Sequence, residues 1–181
     1  MFVARQPVFD RNQKVWGYEL LFRSSATQAQ FDGTDASLAT TQVVSNSVLS
    51  IGLEKLLCGK QGLINFGRDM LLQDWYAVLP KECTIIELTE DIEPDAEVLA
   101  AVRAMRAQGY RIALDDFQPG TSMEPLIDLA HMIKVEMHTP KAQQEVMLRE
   151  FRGRGIRMLS EKVETDEDFR WALREIGRAH V

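Results

Sequence analysis

The chain has 181 residues, is 45% hydrophobic and carries a formal charge of −6 at neutral pH. That length suffices for one domain with a full-sized core, and the composition excludes a disordered chain. The acidic balance argues against a nucleic-acid duplex as partner, which favours a basic surface. A small anion is not excluded, because a bound cation inverts the local field. Cys58 and Cys83 have neither disulfide-framework nor zinc-site spacing and read as reduced thiols. The opening MFVARQPVFDR puts Arg5 and Pro7 where a signal peptide needs an apolar run, and no stretch approaches the roughly 20 apolar residues of a membrane span. A cytoplasmic chain without membrane contact is expected.

In chain order, FVARQPVFDRNQKVWGYELLFRS reads as two strands around a turn. Asp10, Arg11, Asn12 and Gln13 supply the polar turn, and Val3, Val8, Val15, Trp16 and Tyr18 are strand formers. From Asp35 to Leu57 the apolar residues Leu38, Val43, Val44, Val48, Leu49, Leu53 and Leu56 fall at helical spacing, with Asp35 as N-cap and Gly59 as stop. A pattern then repeats. Short apolar runs GLINF (62–66), TIIEL (84–88), IALDD (112–116), MIKVE (132–136) and IRMLSE (156–161) alternate with helical segments, clearest at Asp95–Gln108 and Pro140–Arg152. Gly109 and Gly155 stand where those helices should end. Such units favour a parallel sheet with right-handed crossovers.

Each run carries a polar functional group at or near its C-terminal end: Asn65, Glu87, Asp115 with Asp116, Lys134, and Glu161 with Glu164. In barrel enzymes catalytic groups gather at that end of the strands. Glu87 lies between Ile86 and Leu88, which implies burial, and a buried carboxylate needs a partner. Glu90, Asp91 and Glu93 read as solvated loop acids. Asp115 and Asp116 are adjacent and face opposite sides of a strand, so one at most enters a barrel easily. Lys134 is either a lysine reaching for the rim or the cation that neutralises the acids. His131, His138 and His180 lack the spacing of a helical metal pair and receive no role. Oxygen donors with one amide and no thiolate favour Mg²⁺ or Mn²⁺ over zinc.

Seven motifs in order, RQP, GYELLFR, LIN, ELTE, ALDDF, IK and SEKVET, reach from Arg5 to Thr165. In them the chain resembles the EAL-domain family, bacterial phosphodiesterases that hydrolyse cyclic di-GMP on a modified (β/α)₈ barrel with an antiparallel first strand. The wording ARQPVFDRNQKVWGYELLFRS and SEKVET is most similar to the subgroup in which an HDOD domain follows. The resemblance implies that Glu19, Asn65, Glu87 and Asp115 bind metal and that Asp116 serves a second metal. It implies Glu161 as general base, Lys134 in contact with the water and acids, Arg23 and Gln6 on the substrate, and Glu164 as a loop-positioning acid. Two such metals about 4 Å apart polarise a phosphoryl group and acidify a bridging water. Implied partners are cyclic di-GMP, an HDOD domain and a second copy of the chain.

The sequence departs from the family at Leu20 (usually alanine), at Gln118–Pro119 (usually glycine after DDF) and at Glu136 (usually aspartate). The family also continues through a strand bearing a glutamine and a final helix. Residues 1–174 therefore read as a truncated domain with a barrel incomplete at its C-terminal end. The tail 175–181, EIGRAHV, is similar to a translated sequencing-library adapter and reads as non-native, the alternative being a frayed helix end. Two functions follow: cyclic di-GMP hydrolysis to the linear dinucleotide, or a catalytically inactive module that binds cyclic di-GMP or a partner protein.

Overall fold

The computed structural model describes residues 2–23 and 52–180, and of Phe2, Phe22 and Arg23 it describes the backbone alone. Strands β1 (Phe2–Asp10) and β2 (Val15–Arg23) form the opening hairpin. Asp10 shapes its turn, its Oδ1 accepting from the amides of Asn12 (2.8 Å) and Lys14 (3.0 Å), an Asx-type arrangement. Strand–helix units follow: β3 (Gln61–Phe66), β4 (Thr84–Leu88), β5 (Arg111–Leu114), β6 (Met132–Glu136), β7 (Arg157–Glu161) and β8 (Arg178–His180). Helices α1 (Leu53–Leu57), α2 (Arg68–Leu72), α3 (Ala96–Ala107), α4 (Lys141–Gly153) and α5 (Asp166–Trp171) lie between them. The helix expected from Asp35 falls outside the described residues apart from α1.

The anticipated helix ends are present. Asp95 caps α3 by accepting from the amides of Glu97 and Val98, and Gly109 beyond it has φ +93°. Gly155 follows α4 with φ +74°, in the left-handed region that costs glycine nothing. The run IALDD is shorter as a strand than it reads, because the backbone turns left-handed at Asp116 (φ +41°).

The strands close a barrel in sequence order. β1 is antiparallel to both neighbours, β2 and β8, and every later pair is parallel. The expected modified barrel is therefore correct, but its expected opening at the C-terminal end is not. Val8, Phe9 and Asp10 pair with His180, Ala179 and Arg178, and Ser160 pairs with Ala179, so the described strands leave no sheet edge.

Strand period two sorts the core into two shells. Val8, Leu63, Ile85, Ala113, Met132 and Leu159 pack together inside the barrel. Their neighbours Ile64, Ile86, Ile112, Ile133 and Met158 face outward and pack against the helices in a second cluster with Val98, Val102, Met147 and Phe151. This is why the strands read as unbroken apolar runs. Among the described residues no helix is long and apolar enough to cross a membrane.

Candidate functional site

Two residues beyond each inner-layer member on β3 to β7, the chain presents another inward side chain. From Leu63, Ile85, Ala113, Met132 and Leu159 this step leads to Asn65, Glu87, Asp115, Lys134 and Glu161. On β2 the corresponding step runs from Gly17, paired with Val8, to Glu19. A polar layer therefore lies directly on an apolar one at the C-terminal mouth of the barrel, as the sequence pattern anticipates.

Lys134 is the hub, with 1% of its surface exposed. Its Nζ lies 3.3 Å from Glu19 Oε2, 3.0 Å from Asp115 Oδ1 and 2.6 Å from Glu161 Oε1, and it also pairs with Glu87. The reading of Lys134 as a rim lysine is thus set aside. An ammonium carries three protons, so it cannot donate to four carboxylates at once. Buried acceptors remain unmet: Glu87 Oε2 and Asn65 Oδ1 have no hydrogen-bond partner. The Asn65 amide itself donates to Glu19 Oε1 at 3.2 Å.

Charge and burial push these groups apart. Burial carries Glu87 well above the ordinary carboxylate range; Lys134 opposes this, and the charges of Glu19 and Asp115 add to it. Glu161 also rises, chiefly through burial, against the pull of His180 and Lys134. Burial works upward on Asp115 too, but the charge and hydrogen bond of Lys134 bring it below its usual value. Burial alone would lower Lys134; Glu87, Glu161, Asp115 and Glu19 outweigh it and hold the lysine well above its ordinary value, hence protonated.

The other expected site residues divide. Asp116 does not join Lys134: its left-handed backbone aims the carboxylate at Lys162, 3.5 Å away. Glu164 is exposed on the loop after β7. Gln6 is exposed on β1 and pairs in register with Glu19, so the two share a face. Arg23 ends β2, and its side chain lies outside the described residues. Leu20 points into the outer core at 1% exposure, on the opposite face from Glu19, so the bulk it adds does not enter the site.

One residue the sequence reading set aside belongs here. His180, buried on β8, has Nδ1 3.2 Å from Glu161 and 3.3 Å from Glu19. Helical spacing could not reveal it, because the barrel, not a helix, brings it in. Its pairing partner Val8 lies in the inner layer, and that register is the signal. Glu19, Glu161 and His180, and likewise Glu87, Asp115 and Glu161, each place donor atoms within 4.8 Å of one another. Hard oxygen donors, unmet buried acceptors and a surplus of negative charge fit a divalent cation.

No family model matches the chain. It is 33% identical over 181 residues to the uncharacterized protein YuxH of Bacillus subtilis, covering 97% of this chain and 44% of that protein. It is 32% identical over 174 residues to the cyclic di-GMP phosphodiesterase CdgJ of Vibrio cholerae, covering 94% and 40%. The chain thus spans less than half the length of these curated relatives. Among solved structures it is similar to an EAL-domain protein of Listeria monocytogenes, with TM-score 0.78 and 20% identity over 99% of this chain and 85% of that one. It is also similar to Klebsiella pneumoniae BlrP1 in a manganese and cyclic di-GMP complex, with TM-score 0.74 and 23% identity over 98% and 53%. A closed eight-strand barrel in sequence order, with β1 antiparallel to both neighbours, and TM-scores of 0.78 and 0.74 to these solved structures over 99% and 98% of the chain lead to one conclusion: the chain has the EAL-domain fold.

Proposed function

We propose that the chain belongs to the EAL-domain family and forms the barrel of a cytoplasmic phosphodiesterase that opens cyclic di-GMP to the linear dinucleotide, using Mg²⁺ or Mn²⁺. The observation that carries this reading is the polar layer itself, in which one ammonium faces three buried carboxylates and the partly buried Asp115 and leaves acceptors unmet. Glu19, Asn65, Glu87 and Asp115 would hold a divalent ion, and Asp116 a second. Such ions supply charge to the phosphoryl oxygens and acidify a water. Glu161, raised by burial, is suited to take the proton of the attacking water. Lys134 keeps the acids in place before and after that transfer. Arg23 and Gln6 would hold the substrate phosphates, and Glu164 the loop beyond Glu161. An HDOD domain is a partner this reading includes, resting on the likeness of the opening hairpin and the SEKVET segment to that subgroup; a second copy of the chain is included from the family resemblance alone.

A second reading, a module that binds cyclic di-GMP or a protein without turnover, has one observation in its favour. Lys134 reaches all four acids and gives the cluster a resident cation. Titration calorimetry with cyclic di-GMP in Ca²⁺, followed by exchange into Mg²⁺ or Mn²⁺, separates the two. The first reading expects binding and then linear product; binding without product favours the module.

A further inference from the structure

Two residues beside the site share an uncommon backbone state. Asp116 (φ +41°) follows Asp115, and Lys162 (φ +52°) follows Glu161; neither is glycine. Left-handed residues with side chains are held by their surroundings and gather at functional sites. Here both turns have the same effect: the residue after an inward acid swings out of the barrel, and the two then meet. Lys162 Nζ lies 3.5 Å from Asp116 Oδ2 and also pairs with Glu136, the last residue of β6. The backbone fixes the three loops that carry them. The Phe117 amide donates to the Lys134 carbonyl at 3.2 Å, and the Met137 amide to the Glu161 carbonyl at 2.9 Å. Asp116 Oδ1 is buried with no hydrogen-bond partner, although one edge of the residue reaches solvent.

We propose that Lys162 is a positioning residue that holds Asp116 away from the inner carboxylates, so that the site loads divalent ions unequally. The first enters among Glu19, Asn65, Glu87 and Asp115. The second needs Asp116 and must displace the Lys162 ammonium. This rests on the metal-dependent reading above. Lys162 is half exposed and its ion pairs are screened, so the hold is one that a divalent ion can overcome.

The test counts Mn²⁺ bound to the chain by the loss of the free-ion paramagnetic resonance signal. The wild type is expected to show one tight and one weaker ion. Lys162→Met keeps the side-chain length and removes the charge, and should tighten the weaker ion by about tenfold, the scale of one unit charge at this distance in water, with the tight ion unchanged. Lys162→Gly, which suits the left-handed backbone, should act likewise should the methionine variant fold poorly. Lys162→Arg should retain the wild-type pattern, and Asp116→Asn in the Lys162→Met background should abolish the second ion. Two equal ions in the wild type, or a weaker ion unmoved by Lys162→Met and Lys162→Gly, would overturn the proposal. Absence of any bound Mn²⁺ in every variant would overturn both it and the metal-dependent function. The expected binding pattern without cyclic di-GMP turnover would leave the positioning role standing and remove the phosphodiesterase reading alone.

Discussion

Lys134 shows how a single side chain can hold a set of otherwise incompatible neighbours. Removing one partner from a buried charge cluster leaves the others uncompensated, at a cost of about 3–5 kcal/mol. Lys134→Met should therefore lower the metal-free melting temperature sharply, and divalent metal should recover part of the loss. Calorimetry with and without Mn²⁺ checks this, and a variant as stable as wild type would show that the acids are not held by the lysine. The same residues set a pH dependence. Glu87 and Glu161 are carboxyls raised in the folded state above an ordinary 4.5. Their contribution to stability is complete below 4.5 and is lost as pH rises through their folded values. Asp115, lowered beneath 3.8, acts in the opposite direction, and its share is lost as pH falls through its folded value. Metal-free protein should thus lose stability as pH climbs above 4.5, and Glu87→Gln should flatten that slope. Melting curves across pH in chelator decide it.

At the scale of the element, the controlling feature is the two-residue step from an apolar inward position to a polar one. It made Asn65, Glu87, Asp115, Lys134 and Glu161 legible in the sequence, because each stands at or near the C-terminal end of an apolar run of strand length. The same run could not say which face Leu20 takes, since a strand buried on both sides is apolar throughout; only the hairpin register places it outward. Asp116 was readable as facing away from Asp115, but its partner Lys162 lies 46 positions further along the chain, beyond the reach of local pattern. His180 escaped for a related reason: its neighbours Glu19 and Glu161 become neighbours only when β8 pairs with β1. Close packing between strands also yields a test. A Cβ at Gly17 would stand 2.8 Å from the Gln61 carbonyl oxygen, whereas one at Gly62 would meet the Leu57 side chain at 2.7 Å. A carbonyl paired in the sheet cannot move aside as a leucine methyl can. Gly17→Ala should cost roughly 1–3 kcal/mol, as overpacking does, and Gly62→Ala less. Equal losses in denaturant titrations would mean that the β2–β3 seam yields more easily than its register suggests.

Across the whole molecule, closure of the barrel makes the site a shared product of distant segments: β2 supplies Glu19, β7 supplies Glu161 and β8 supplies His180. The final seam is short, with three register pairs between β1 and β8 and one between β7 and β8. The amides of β8 should accordingly exchange with deuterium sooner than those of β3 and β4, following local rather than global opening. On the metal-dependent reading, a divalent ion binds the folded site alone and should raise the melting temperature, stabilising the fold by about 2.7 kcal/mol at a hundred times Kd. The most direct measurement for the account is cyclic di-GMP turnover in Mn²⁺ by the chain and by Glu161→Gln, with the linear dinucleotide resolved by anion exchange. Glutamine keeps the shape of Glu161 but cannot take up the proton. The account predicts measurable turnover by the wild type and a fall of about 10²-fold or more in the variant, as expected when a general base is lost, with nucleotide binding little changed. Equal turnover by both proteins, or binding by both with turnover by neither, would contradict it.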